Sequence, residues 1–382
     1  MPADVELVKV EPDKLGYRPS LDGLRAFAVL LVFGVHTHPR LVPAGSIGVD
    51  IFFVLSGFLI TTLLVEELDD RGRVSIGRFY IRRALRLLPA LFGLLAAVAL
   101  WALLVAAPDT RNNALHEILA AGSYTRNLTW WAHTPGTLLG HTWSLALEEQ
   151  FYLVWPLLLT LCVRPRRSAA WLAVVFVGAF VLLSVLRTSH VVGPGALFIG
   201  RPEALLLGSA LGLARRDLGD SWVGVAAARR AAPAVAIGTI GLLAIAAWDP
   251  GDDLFGFGYT VAAVSAAVLI YGLVVSREHG PGRAFAWRPA VGLGRISYGF
   301  YLWHLPILRW TDDRLIGQPA TVRIGLGFAL ALAAALASYR LIEQPALRLK
   351  GRFAALPTDS EETHYSTPDQ STSVPATNGL HD

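Results

Sequence analysis

The apolar residues of this chain fall in blocks of about 20, the length a helix needs to cross the ~30 Å hydrocarbon core of a bilayer. No other feature restricts the fold so strongly. The blocks predict spans at 21–37, 47–65, 87–106, 141–163, 169–187, 195–214, 231–248, 256–275, 290–309 and 322–343. The expected fold class is all-α: a polytopic membrane helix bundle with about ten transmembrane helices. The sixth block is interrupted by Arg201-Pro202-Glu203, and the ninth is the weakest in hydropathy. Composition agrees, with 54% hydrophobic and 16% charged residues, against about 25% charged in an ordinary soluble domain.

The loops test this count. With the N-terminus in the cytoplasm, that side carries Lys9, Lys14 and Arg18, then Arg71, Arg73, Arg78, Arg82, Arg83 and Arg86. It continues with Arg164, Arg166 and Arg167, then Arg215, Arg216, Arg229 and Arg230, then Arg277, Arg283 and Arg288, and finally Arg348, Lys350 and Arg352. The opposite loops hold only Arg40, Arg111, Arg126, Arg309 and Arg314, beside Asp249, Asp252, Asp253, Asp312 and Asp313. A wrong span count scrambles such an alternation, so both termini are expected in the cytoplasm and the long loop 107–140 outside.

The same pattern decides what the net charge of +4 means. Basic residues in short patches between apolar blocks orient a membrane protein and exclude a nucleic-acid partner. The single cysteine, Cys162, excludes an intrachain disulfide and a zinc site of several thiolates. No metal and no permanently bound cofactor are expected. The first residues, with Asp4, Glu6, Glu11 and Asp13, have no apolar core and are not a signal peptide. The chain divides into a cytoplasmic segment 1–18, a membrane domain 19–350 and a polar, disordered cytoplasmic tail 351–382.

Charged side chains inside spans cost at least a few kcal/mol, so each needs a reason. The first span holds Arg25 and His36, 11 residues apart. That spacing is three turns plus about 20°, so they share a face, roughly 16 Å apart along the axis. A phosphopantetheine arm has this reach. Snorkelling for the arginine and an interfacial place for the histidine is the other reading. In the block Gly48–Ile60, Asp50 is a candidate to orient an imidazolium of the first helix, or a helix-start carboxylate at the positive dipole end. Ser56 and Gly57 read as helix-packing residues. The fourth span opens His141-Thr142-Trp143-Ser144-Leu145-Ala146-Leu147-Glu148-Glu149-Gln150-Phe151-Tyr152. Glu148 and Glu149 point about 100° apart, so one must face the interior, as a functional group or as an ion-pair partner of Arg25 or Arg201.

Arg82, Arg83 and Arg86 lie at the entry of the third span. Arg83 and Arg86 share a helical face, and planar guanidiniums suit phosphate oxygens; basic residues are also ordinary at such a juncture. Tyr152 of the fourth span, with Tyr298, Trp303 and His304 of the ninth, completes the set of candidate substrate-binding residues. Aromatics around a histidine are also usual in an interfacial belt.

Taken together, these stretches resemble the acyltransferase 3 family of membrane-bound O-acyltransferases. The likeness rests on Leu21-Asp22-Gly23-Leu24-Arg25 with His36, the Gly48–Ile60 block, Arg83 and Arg86, Trp143–Tyr152, Ser297–Pro306, and Glu343-Gln344-Pro345. It runs from about Pro19 to Pro345 and is specific because the pieces occur in order. It implies acyl-CoA as cytoplasmic co-substrate and a hydroxylated acceptor, often a surface-polysaccharide sugar and in some relatives a macrolide. It further implies that Arg25 and His36 are essential and that Arg83 and Arg86 serve the donor. Many relatives append a soluble hydrolase-like domain, and none is expected here.

A thioester is already activated, whereas a hydroxyl is a poor nucleophile. His36 is the candidate general base for the acceptor proton. Arg25, Asp50, Glu148 and Glu149 are the other candidate catalytic residues. A transporter with a buried Arg, His and Glu pathway is the rival reading.

Overall fold

The computed structural model describes residues 14–129, 137–189, 201–219, 225–248, 257–276, 280 and 282–348, and among them there is no strand. The helices are α1 (Pro19–Thr37), α2 (Ile47–Arg71), α3 (Ile76–Leu104), α4 (Pro108–Gly122), α5 (Trp143–Cys162), α6 (Ala170–Thr188) and α7 (Glu203–Leu218). They continue with α8 (Val225–Ala247), α9 (Gly258–Ser276), the short α10 (Gly282–Phe285) and α11 (Arg288–Arg295), α12 (Ser297–Arg314) and α13 (Ala320–Ser338). A single π-helical turn, Tyr339–Glu343, follows α13.

Eight of the described helices are long and apolar enough to cross a bilayer. The all-α polytopic bundle is therefore present. The two remaining predicted spans explain the shortfall. The sixth is described only from the interruption onward, as the 16-residue α7. The ninth is split into α11 and α12 at Ile296, and α12 carries Arg309, Asp312, Asp313 and Arg314 in its second half. Outward-facing side chains on α5 and α6, such as Leu161 at 81% exposed and Val174 at 70%, belong against lipid rather than water.

Helix ends depart from the hydropathy blocks for one reason. Hydropathy marks the stretch inside hydrocarbon, whereas a helix continues while its ladder of hydrogen bonds is favourable. Thus α2 runs on to Arg71 and stops at Gly72, whose left-handed φ of 70° forms its C-cap. α3 begins at Ile76, so Arg78, Arg82, Arg83 and Arg86 are all helical. The segment read as the long loop 107–140 contains α4, a correction to that reading. Proline at its first turn starts this helix, and Glu117 anchors it by accepting the Leu139 N–H at 2.7 Å. Burial pushes the Glu117 carboxyl above its ordinary range.

Glycine sets the tightest crossing. A Cβ on Gly57 would meet Leu205 O at 2.1 Å, and one on Gly208 would meet Val54 O at 2.0 Å, so α2 and α7 touch backbone to backbone. The N-terminal half of α1 is held as closely, since a Cβ on Gly294 would lie 1.8 Å from Asp22 O. These contacts fix α1 and α2 relative to α7 and α11, and so fix the arginines and histidines they carry.

Candidate active site

Where α1 begins and α3 enters the bundle there is a cavity of about 430 Å³. Arg18, Arg25, Arg83 and Arg86 line it, and it deepens to Ser144 and Tyr301. The four arginines are in different states. Arg25 pairs with Asp22 at 2.8 Å. Arg83 is clamped: its Nε and a terminal nitrogen donate to Glu149 at 3.1 and 3.0 Å, and its guanidinium carbon lies 3.2 Å above the Tyr152 ring. Glu148 is 3.5 Å from Arg83 and accepts from the hydroxyls of Ser56 and Tyr152. Arg86 is exposed into the cavity and makes no ion pair among the described residues. Arg18 borders the same space, also without an ion pair there, and its Nε has no hydrogen-bond partner. Tyr298 lines the wall and donates to Leu87 O at 3.0 Å.

Arg82 belongs elsewhere. It turns toward Glu67 at 3.6 Å and does not line the cavity. The carboxylates Glu148 and Glu149 do face the interior, but their cation is Arg83 rather than Arg25 or Arg201.

At the other end of α1 stand three imidazoles. The His36 ring is 5.2 Å from that of His304, which is 5.1 Å from that of His141. His304 and His141 are buried and His36 is exposed. Each has one ring nitrogen on a backbone carbonyl: His36 Nδ1 on Val32 at 2.7 Å, His304 Nδ1 on Tyr301 at 2.6 Å, and His141 Nε2 on Leu302 at 3.1 Å. A carbonyl only accepts, so each of these nitrogens carries hydrogen. In the neutral rings His36 Nε2, His304 Nε2 and His141 Nδ1 are therefore bare acceptors. Between the cavity and this cluster lies Tyr301. Its ring is 5.3 Å from His141 and 5.4 Å from His304. Its hydroxyl donates to His141 O at 2.9 Å and accepts from Ser144 at 2.6 Å. No three His, Cys, Asp or Glu side chains among the described residues are arranged to hold a metal ion.

Asp50 does not join the histidines. It is buried and hydrogen-bonded to Arg201, whose guanidinium lies 3.6 Å above the Tyr259 ring. Arg187 and Glu203 form a second buried pair beside it, at 3.1 Å. The expectation that Asp50 orients an imidazole gives way to an ion pair that ties α2 to the start of α7.

A second cavity, about 800 Å³, opens between α3, α12 and α13. Trp101, Trp303 and Trp310 line it with Arg309, Asp313 and Arg314. Trp303 Nε1 is buried there without an acceptor.

A profile of the family described as "Acyltransferase domain" matches residues 18–340. The chain belongs to the acyltransferase 3 family. It is similar to peptidoglycan O-acetyltransferase OatA of Listeria monocytogenes, 33% identical over 350 residues, covering 86% of this chain and 56% of the relative. O-acetyltransferase OatA of Staphylococcus aureus is 30% identical over 373 residues, covering 89% of this chain and 59% of the relative. YrhL of Bacillus subtilis is 33% identical over 359 residues, covering 88% and 55%. The chain thus spans little more than half the length of these relatives. No solved structure matches.

The acyltransferase 3 residues of the sequence reading now have places. Arg25 and His36 lie on one helix but serve two spaces, the first the arginine-lined cavity and the second the histidine cluster. Sequence reasoning missed Arg18, Ser56, His141, Ser144 and Tyr301 as site residues. His141 and Ser144 stood in the family-like stretch around Glu148, and that was the available signal. Arg18 looked only like an orientation marker, and nothing local distinguished Tyr301 from its aromatic neighbours.

Proposed function

We propose that this multi-pass membrane protein is an O-acyltransferase that takes a short acyl group from acyl-CoA and esterifies a carbohydrate hydroxyl across the bilayer. The observation that carries this reading is the cavity with arginines at one end and Tyr301 at the other, abutting three histidines. In this reading the termini and the arginine end face the cytoplasm, a placement that the basic loops support. Arg86 and Arg18, free of ion pairs among the described residues, take the CoA phosphates, and guanidinium forks suit them. Arg25 stays with Asp22, and Arg83 with Glu148 and Glu149, as the walls that shape the donor channel. The pantetheine arm then runs along the cavity toward Tyr301.

The acceptor occupies the second cavity, where tryptophan faces stack on sugar rings and Arg309, Asp313 and Arg314 meet its polar groups. His36 Nε2 takes the hydroxyl proton as the oxygen attacks the acyl carbon, and the C–S bond breaks with its electron pair on sulfur. The names of the two OatA relatives favour acetyl as the acyl group, and that of the Listeria relative favours peptidoglycan as the acceptor.

The test is release of CoA thiol from acetyl-CoA by purified protein in liposomes. Release that depends on an added muropeptide or other glycan is expected. Glycan or acyl-CoA movement without thiol release would instead support a transporter. Reporter fusions after Gly219 and after Ser123 should report opposite compartments, and a shared compartment would overturn the orientation.

A further inference from the structure

The arginines of the donor cavity suit the phosphates of CoA, and the cavity's length suits its thioester arm, but neither accounts for the base. One aromatic ring at the mouth of that cavity has no role so far. Resting on the acyl-CoA reading, we propose that Tyr17 is the platform on which the adenine of the donor stacks. Residues 14–18 form a fixed strap that presents it.

The strap is anchored on both sides of Tyr17. Lys14 pairs with Asp70 of α2 at 2.9 Å. The Leu15 N–H donates to Glu66 of the same helix at 2.8 Å, and the Leu15 side chain is buried in the bundle core. Gly16 then turns the backbone with a left-handed φ of 60°, a conformation that favours glycine. Arg18 leads directly into α1, and its carbonyl accepts from the Leu21 N–H at 3.1 Å. Tyr17 stands between these anchors and lines the cavity with Arg18, Arg25 and Arg86.

The ring itself is tethered too. Its hydroxyl donates to Asp22, the acid that also holds Arg25, at 2.9 Å and accepts from Arg295 at 2.8 Å. The Arg295 guanidinium carbon lies 5.5 Å from the ring centre. Yet Tyr17 is 62% exposed, so burial does not account for its placement. A ring already fixed by its hydroxyl loses little further freedom when a second ring lies on it. The neighbouring residues define which ring that is. Arg18 is the next residue, so a base on Tyr17 brings the phosphates of the same nucleotide beside a guanidinium without an ion pair among the described residues. The pantetheine arm has no π-face and continues inward toward Tyr301. Stacking on an aromatic side chain recognises any flat base, so the platform selects for the nucleotide end of the donor.

A truncated donor separates stacking from packing. Acetyl-phosphopantetheine keeps the thioester, the arm and one phosphate but has no adenosine. Acceptor-dependent thiol release from both donors gives a preference, the ratio of their kcat/KM values. Wild type should prefer acetyl-CoA. Tyr17→Ala should shrink that preference about tenfold, the scale of one base–aromatic stack, through a higher KM for acetyl-CoA. Tyr17→Trp, which keeps a π-face, should retain most of the preference. Monodispersity is read on each variant first. If Tyr17→Ala does not fold, Tyr17→Leu, which keeps bulk without a π-face, takes its place. Equal losses with the two donors in a folded variant would reduce Tyr17 to a packing residue and overturn the platform. So would an undiminished preference for acetyl-CoA, or a Tyr17→Trp variant as impaired as Tyr17→Ala. Absence of release from either donor by the wild type would instead sink the acyltransfer reading itself.

Discussion

Two groups of buried charge lie in this bundle, and they behave differently. Around α2, α6 and α7, Asp50 meets Arg201 and Arg187 meets Glu203, all four nearly inaccessible and none bordering the two cavities described above. Around α1, α3 and α5, Arg18, Arg25, Arg83, Arg86, Glu148 and Glu149 surround open space. In the first group every charge is matched by a partner, and the pairs join helices. In the second, acids clamp some arginines so that others stand free. A charge in a membrane span is therefore not a functional residue by itself. What distinguishes the two groups is whether the charge faces room for a ligand.

Five substitutions test that distinction, from the largest effect to the smallest. Asp50→Ala leaves Arg201 buried without its anion and should cost about 3–5 kcal/mol of stability. Denaturant unfolding in detergent measures it, and Asp50→Ala with Arg201→Met should recover most of the loss. A stable but inactive Asp50→Ala would move Asp50 into the catalytic group and break the comparison. His36→Ala should lower kcat by about 10²-fold while leaving acyl-CoA binding intact. Normal turnover from this variant in a folded, monodisperse preparation would remove His36 from the chemistry, and an acyl-imidazole trapped on wild type without acceptor would make it a nucleophile instead.

Arg86→Gln should raise the donor KM roughly tenfold, the value of one charged hydrogen bond, with little change in unfolding or acceptor KM. Arg83→Gln sharpens the contrast, because removing it leaves Glu148 and Glu149 without their cation and should lower stability as well. Equal effects of Arg86→Gln on donor and acceptor would return this residue to a topological role. Arg82→Gln should change neither activity nor stability measurably, since a half-exposed pair such as Arg82 with Glu67 contributes about 0–1 kcal/mol. A donor-specific defect there would show that the cavity extends further than its lining residues indicate.

The parts of the site that were legible in the sequence share a helix or a short segment. The common helix of Arg25 and His36, the shared face of Arg83 and Arg86, and the packing role of Gly57 all follow from spacing or residue size. Partners were not legible. The sequence offers Glu148 and Glu149 as functional groups or as ion-pair partners of Arg25 or Arg201, whereas Arg83 holds Glu149 from 66 residues away. The sequence offers Asp50 an imidazolium of the first helix or a helix-start role, whereas its cation, Arg201, lies 151 residues along the chain. The helix α4 was missed because it lies outside the membrane pattern and carries no strong apolar stripe.

The sequence alone determined that the chain is a membrane helix bundle, approximately where its helices lie, and which family it resembles. Those properties are local: hydrocarbon thickness sets block length, and motif order survives without coordinates. The tertiary structure decided which arginines are clamped and which are free. It also brought His141 of α5's leading turn beside His304 of α12 and His36 of α1. That choice depends on how helices far apart in sequence pack, and backbone contacts such as those at Gly57, Gly208 and Gly294 fix that packing. Periodicity specifies the face a residue occupies on its own helix, but it carries no information about which other helix meets that face.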